Sequence, residues 1–189
     1  MTTPMALPEP GARMTFEEAA RIDPDEFPGE LVKGAYVPTP RGTWRHGVIT
    51  ANVSAVLLAY ARKNPGWSVS VGDPGTKLSR DPDTLRGPDV AIVSKDRVPT
   101  GCGAAGWLDG APDIAVEVVR DAQSVSELAE KALEYLGAGA KAVWVLDPEP
   151  RRVIVFAPNE ALRVLRPGDV LTAPGVLPGF SCRVDELFD

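Results

Sequence analysis

The sequence predicts an α/β fold with a mixed sheet, and three observations lead to it. Two nearly continuous apolar runs, PDIAVEVV from Pro112 and AVWVLDP from Ala142, have the composition of buried strands. Apolar residues recur at helical spacing between them, from about Ser124 to Leu136. A strand, a helix and a second strand in this order predict a right-handed crossover with parallel strands.

The elements before this crossover also follow from local patterns. Residues 1–13 are rich in Pro and Ala and are predicted to form a disordered tail. Thr15 and Glu18 form a capping-box pattern that begins a short helix. ELVKGAYV predicts two short strands or a hairpin. Residues 43–63 predict a longer helix, and WSVSV and PDVAIV predict two strands.

After the crossover, RVIVF and LRVL add strands, and PGVLPGF and VDELF close the chain. The sequence therefore predicts one domain over residues 14–189. Apolar residues make up 44% of the chain, which is enough for a hydrophobic core. No apolar run reaches the roughly 18 residues of a membrane span, and no signal-peptide pattern begins the chain.

Cysteine and histidine counts narrow the chemistry. Cys102 and Cys182 are far apart, which argues against a zinc site or a disulfide framework and favours a reduced, cytoplasmic setting. His46 is the one histidine, so a site with several histidine ligands is excluded. A serine hydrolase that uses His46 is disfavoured because the chain has no GxSxG elbow.

The net charge of −6 hides an asymmetry along the chain. Residues 32–80 hold seven Lys or Arg and one acid, Asp73, whereas residues 101–189 hold eight basic and fourteen acidic residues. Because phosphate binding depends on the local field, a basic face for nucleic acid is one interpretation. A set of solvated surface charges is the other.

Two carboxylates lie inside or beside apolar strands, where an unpaired charge is costly. They are Asp89 in PDVAIV and Glu117 in DIAVEVV, and each either bonds a buried partner or holds a cation. Asp113 competes with Asp89, but it lies four residues from Glu117 on one strand, about 13 Å away. Neighbouring strands are only about 4.8 Å apart, so Asp89 is the better partner for Glu117.

A lysine two residues after Glu117 would point to the same face, but Val119 occupies that position. Lys131, on the following helix, is the nearest lysine able to reach the site. It lies about 60° round the helix from Leu128, on the border of the face predicted to pack on the sheet. The alternative is an exposed lysine paired with Glu127 at i−4.

The ordered set Pro88-Asp89, Glu117-Val118-Val119 and a helical Lys131 resembles the PD-(D/E)XK nuclease superfamily. The phrases around it are similar to the Uma-type family of restriction-endonuclease-like proteins, which is widespread in bacteria. These phrases are GELVKGAYV, RHGVITANVSAVLLAY, RGPDVAIV, PDIAVEVV, EKALEYLGAG, AVWVLDP and VLPGF, and they cover nearly the whole chain after residue 14. The resemblance implies a restriction-endonuclease-like mixed sheet flanked by helices, with extra strands at both ends.

The resemblance also implies a Mg²⁺-dependent (or Mn²⁺-dependent) endonuclease that hydrolyses DNA, and a homodimer as its assembly. Asp89, Glu117 and the Val118 carbonyl would hold the metal, and Lys131 would position the attacking water or stabilise the transition state. Glu30 and His46 match further polar positions of the family and would line the cleft, although His46 could instead contact a backbone group. The chain departs from the family at Arg120-Asp121-Ala122, where Ser and Pro are usual.

A non-catalytic module is the competing interpretation. It would keep the nuclease fold to bind nucleic acid or a protein partner, and the acidic pI of about 4.9 favours it. The acidic pair and Lys131 favour an enzyme.

Overall fold

A computed structural model of the chain describes residues 8–22, 29–101, 106–120 and 124–189. Its helices are α1 (Phe16–Ala19), α2 (Trp44–Lys63), α3 (Val125–Gly137) and α4 (Asp185–Phe188). Its strands are β1 (Gly29–Val32), β2 (Ala35–Pro38), β3 (Trp67–Val71), β4 (Thr76–Ser79), β5 (Thr84–Arg86), β6 (Val90–Ser94), β7 (Leu108–Asp109), β8 (Ile114–Val118), β9 (Ala142–Asp147), β10 (Arg152–Phe156), β11 (Arg163–Leu165), β12 (Val170–Ala173) and β13 (Leu177–Arg183).

The main sheet has six strands in the order β11-β10-β9-β8-β6-β3. β8 and β9 are parallel and joined through α3, whereas the other neighbours are antiparallel. Successive side chains of β8 point to opposite faces of the main sheet. Val116 and Val118 pack on the α2 side with Val53, whereas Ala115 packs on the α3 side with Ala132. Glu117 therefore faces α3.

A second sheet of five strands, in the order β2-β1-β5-β4-β7, has its own small core. Phe16 and Ile22 of the N-terminal segment pack there against Leu31 of β1 and Leu85 of β5. β12 and β13 form a separate hairpin that covers the α2 side of the main sheet together with α4. The two larger sheets bring Glu30 on β1 close to Glu117 on β8.

These elements confirm the mixed α/β class, the parallel pair around α3, the N-terminal hairpin and the helix capped by Thr43. The sequence analysis did not predict four short strands, β4, β5, β7 and β12. Segments of two to four residues contain too little alternation of apolar and polar residues. In the part of the chain that is described, no helix is long and apolar enough to cross a membrane.

The structure differs from the prediction at residues 11–13, the end of the predicted disordered tail. Residues 1–7 lie outside the described residues, but Gly11 donates to the Tyr36 carbonyl at 2.8 Å and the Tyr36 amide donates to Ala12 at 2.8 Å. Arg13 also forms a bridge to Ala35. These backbone bonds hold residues 11–13 against β2, because the open edge of that strand offers unpaired donors and acceptors.

The turn between β1 and β2 gives a test of the fold. Lys33 and Gly34 have φ of 51° and 78°, as a two-residue hairpin turn of type I′ requires. We expect Gly34→Ala to lower the free energy of unfolding by about 1 kcal/mol, because a side chain raises the energy of this backbone conformation. Urea unfolding measures it.

Gly66→Ala is the matched control, because Gly66 faces open space and is not among the positive-φ residues. It should change the free energy of unfolding by less than about 0.5 kcal/mol. Equal losses in the two variants would contradict the assignment of strain to the turn.

Candidate active site

Asp89 and Glu117 lie opposite each other on neighbouring strands. The antiparallel register pairs Val90 with Val116, so its continuation places Asp89 across from Glu117. Directly opposed side chains share one face of the sheet, with Cβ atoms about 4.5–5.5 Å apart. Both residues are buried, with 3% and 4% of their surface exposed.

The Asp89 carboxylate is held by three groups from different parts of the chain. Its Oδ2 accepts a hydrogen bond from the Val118 amide at 2.7 Å, and its Oδ1 accepts one from Arg120 Nη2 at 3.1 Å. His46 Nε2 also lies 3.1 Å from Oδ1, but without the geometry of a hydrogen bond. Burial acts to raise the pKa of Asp89, and His46, Val118 and Arg120 together outweigh it, so the pKa is lowered.

The Glu117 carboxylate meets two groups of α3. Tyr135 donates its hydroxyl hydrogen to Oε1 at 2.9 Å, and Lys131 Nζ forms an ion pair with the same oxygen at 2.8 Å. Burial and the nearby charges of Asp89 and Glu30 raise the pKa of Glu117 to about 8, against the lowering effect of Lys131. Burial is the largest of these effects.

Lys131 joins the two sheets. Its Nζ lies 2.7 Å from Glu30 Oε1 and is 3.4 Å from the Gly87 carbonyl oxygen, which accepts a hydrogen bond from it. Glu30 is fixed in turn by Arg86 Nη1 at 2.7 Å and by the Gly87 amide at 3.0 Å. Burial acts to lower the pKa of Lys131, but the carboxylates of Glu117 and Glu30 outweigh it and raise this pKa.

A cavity of about 860 Å³ opens beside these groups. Glu30, Asp89 and His46 line it, together with the segment that precedes α2. Gly42 of that segment approaches the imidazole closely, since a Cβ there would lie 2.8 Å from His46 Nδ1. Arg120 links the same segment to the carboxylates by donating from Nη1 to the Pro40 carbonyl at 2.7 Å.

Comparisons with known proteins identify the family of this chain. The sequence profile of the Uma2 family, described as "Putative restriction endonuclease", matches residues 15–185. The chain belongs to the Uma2 family. This membership supports a nuclease function. No curated protein matches the sequence.

The fold is shared with a solved structure. It resembles the crystal structure of a protein from Anabaena variabilis described as a putative nuclease belonging to DUF820, with a TM-score of 0.78 and 19% sequence identity. The match covers 93% of this chain and 97% of the Anabaena chain. At this identity the likeness shows the fold.

The structure brings together all five side chains that the sequence singled out: Glu30, His46, Asp89, Glu117 and Lys131. Lys131 does not pair with Glu127, which instead completes the capping box of Ser124. Asp113 lies at the other end of β8, where Lys141 Nζ is 2.7 Å from its Oδ1.

Three partners of these residues were missed. Arg86 and Tyr135 were not considered, although Arg86 precedes the PD pair by two residues and Tyr135 lies one helical turn after Lys131. Arg120 was named only as part of the departure from the family pattern. It contacts Asp89, and also lies 3.7 Å from Asp73.

The raised pKa of Glu117 makes the free energy of unfolding of the metal-free protein depend on pH. In the unfolded chain a glutamate has a pKa of about 4.3, whereas in the folded protein the pKa of Glu117 is about 8. Between these values the folded chain keeps a proton that the unfolded chain has released. The free energy of unfolding should therefore fall as pH rises from about 5 to about 8, and Glu117→Gln should flatten this slope.

Asp89, Glu30 and Lys131 act outside this window. The lowered pKa values of Asp89 and Glu30 give stability that is lost only in acid, and the raised pKa of Lys131 gives stability that is lost only in alkali. Urea unfolding in EDTA across the pH range measures the slope. Glu130→Gln, an exposed change on α3, is the control and should keep the wild-type slope. Identical slopes for wild type and Glu117→Gln would refute the assignment.

Proposed function

We propose that the protein is a metal-dependent endonuclease that hydrolyses phosphodiester bonds of DNA. One observation carries the proposal: Asp89 and Glu117 oppose each other across β6 and β8, and Lys131 is ion-paired to Glu117 beside the cavity. Two carboxylates and an ammonium group supply a cation site and a donor for a phosphate, which phosphodiester hydrolysis requires. Membership of the Uma2 family supports this function.

The donor set fits Mg²⁺ or Mn²⁺. Hard divalent cations prefer carboxylate and carbonyl oxygens, and Mg²⁺ is often held by only one or two carboxylates together with water and substrate phosphate. Among the described residues, no three His, Cys, Asp or Glu side chains are arranged to hold a metal ion, so the protein would supply only two carboxylates and a carbonyl. Burial and the charges of Asp89 and Glu30 raise the pKa of Glu117 to about 8, and a bound cation would favour the charged form of this carboxylate.

We assign the ligands as Asp89, Glu117 and the Val118 carbonyl. The Val118 amide points towards Asp89, to which it donates at 2.7 Å. In an extended strand the amide and carbonyl of one residue point to the same side, as the paired bonds of antiparallel strands require. The Val118 carbonyl oxygen therefore faces the Asp89 side. A divalent cation bound there would lower the pKa of a water ligand and neutralise charge on the phosphate.

The protein's own side chains have distinct roles in this proposal. Lys131 keeps its proton at neutral pH because its pKa is raised, so it donates hydrogen bonds to the water or the phosphate and does not act as a base. Glu30 positions Lys131 through the ion pair of 2.7 Å. His46 and Arg120, which both contact Asp89 Oδ1, orient this carboxylate towards the cavity.

The second candidate is a catalytically inactive module that binds nucleic acid or a protein partner through the same fold. The acidic pI of about 4.9 is the observation that favours it. A measurement can separate the inactive module from the endonuclease, because the module does not need Asp89 and Glu117 to bind a metal ion.

We also propose a cytoplasmic location and a homodimer. The buried free thiol of Cys182 is consistent with a reducing compartment, whereas Cys102 lies outside the described residues. The homodimer follows only from the resemblance to restriction endonucleases. Sedimentation velocity of the full chain measures the assembly.

Metal binding is the first test. Saturating Mg²⁺ or Mn²⁺ should raise the Tm of the wild-type protein by several degrees, because a ligand at about 100 times its Kd adds about 2.7 kcal/mol to stability. Glu117→Ala should show no shift, since it removes one of the two carboxylates. Glu130→Gln should respond like the wild type. Absence of a shift in the wild type with both metals would favour the inactive module.

Cleavage is the second test. Lys131→Ala should lower the rate of metal-dependent plasmid cleavage about 100- to 1000-fold, because it removes a donor directed at the reacting phosphate. Circular dichroism checks that Lys131→Ala is folded. If it is not folded, Lys131→Arg is tested in its place, because arginine keeps the positive charge.

Lys141→Ala is the matched control, since Lys141 pairs with Asp113 away from the cavity. It should cleave at the wild-type rate. A folded Lys131→Ala variant with the wild-type rate would show that Lys131 is not catalytic.

A further inference from the structure

We propose that the substrate is single-stranded or locally unpaired nucleic acid, and that Trp44 stacks on one of its bases at the mouth of the cavity. This inference rests on the proposed function and specifies its substrate class. Trp44 is the first residue of α2, and 89% of its surface is exposed, more than for any other large hydrophobic residue in the described part of the chain.

The position of Trp44 connects it to the cavity. Thr43 and Gly47 both line the cavity, and Trp44 lies next to the first in sequence and one helical turn before the second. A Cβ on Gly47 would meet no atom within 4 Å, so the space beside this residue is open. His46, two residues after Trp44, reaches Asp89 inside.

The charge around Trp44 fits a polyanion. Arg41 lines the cavity and Arg45 follows Trp44, and no carboxylate of a described residue lies within 4.0 Å of either guanidinium. Arg45 instead donates to the Pro148 carbonyl at 2.5 Å. α2 itself has no acidic residue, although the chain carries a net charge of −6. An exposed aromatic ring between two such arginines is typical of surfaces that bind unpaired bases and their phosphates.

The depth and size of the cavity favour an unpaired strand over an intact duplex. Asp89 and Glu117 are almost fully buried, so a phosphate must enter the cavity to reach them. The volume of about 860 Å³ lies within the range of about 300–1,000 Å³ found for small-molecule sites. A nucleotide splayed out of a strand fits this space. Its neighbouring base then offers an open face to Trp44, which a stacked duplex base does not.

A second copy of the chain is the competing occupant of this surface. Val48 and Leu58 share the outer face of α2 with Trp44, and both are 37% exposed. They are much less exposed than Trp44, so the apolar surface that a second copy could cover here is small. The positive charge at the start of α2 would also face its own copy across a twofold axis. Nucleic acid is therefore the better match.

The test measures binding by fluorescence anisotropy of a labelled single-stranded oligonucleotide and of its duplex, with the full chain in EDTA. Wild-type protein should bind the single strand at least about tenfold more tightly than the duplex. Trp44→Ala should weaken single-strand binding about tenfold or more, the usual cost of losing one stacked base, and should leave duplex binding unchanged. Trp44→Phe should keep most of the affinity.

Leu162→Ala is the matched control, because Leu162 is a 56% exposed apolar residue that does not line the cavity. It should bind like the wild type. The proposal is overturned if Trp44→Ala leaves single-strand binding unchanged, or if the duplex binds as tightly as the single strand. A change from dimer to monomer in Trp44→Ala, with binding intact, would assign Trp44 to an interface between copies and also overturn it.

Metal is absent from this experiment, so the result is independent of catalysis. Loss of the single-strand preference alongside metal-dependent plasmid cleavage would reject the substrate class and keep the enzyme. The predicted binding pattern without cleavage in Mg²⁺ or Mn²⁺ would reject the enzyme and keep Trp44 as a stacking residue.

Discussion

The ion pair between Lys131 and Glu117 is the interaction on which the arrangement of the site depends. A carboxylate buried between Val116 and Val118 carries a large desolvation cost, and a single partner rarely offsets it. Here the ammonium lies 2.8 Å from Glu117 and 2.7 Å from Glu30, and Tyr135 donates a hydrogen bond to Glu117. Among the described residues, removing the ammonium of Lys131 would leave Glu117 with only the hydroxyl of Tyr135 as a partner.

This interaction also explains why the chain needs its second sheet. Glu30 comes from β1, and Arg86, which holds it, comes from β5 of the same sheet. Arg86 also contacts Glu134 on α3 at 2.6 Å, so the network returns to the helix that carries Lys131. The five-stranded sheet thus contributes Glu30 and Arg86, two of the charged side chains that hold Lys131 in place. It also contributes its own apolar core.

The sequence was sufficient to predict the carboxylate pair because strands have a simple geometry. A period of two residues and a separation of about 4.8 Å between strands select Asp89 over Asp113 as the partner of Glu117. The partners Arg86 and Arg120 could not be predicted in the same way. Each reaches the site from a strand end or a loop, and the contact depends on how the two sheets meet, which local periodicity does not encode.

The position of the lysine accounts for the remaining polar contacts. On a strand, a lysine two residues after Glu117 would be oriented by the backbone, but Val119 occupies that place and packs on the core beside Val145. A lysine from α3 approaches on a flexible four-carbon stem, so its ammonium group has no orientation of its own. Glu30 supplies that orientation, and Arg86 offsets the charge that Glu30 adds. In this chain the lysine on the helix is therefore accompanied by a second carboxylate and an arginine.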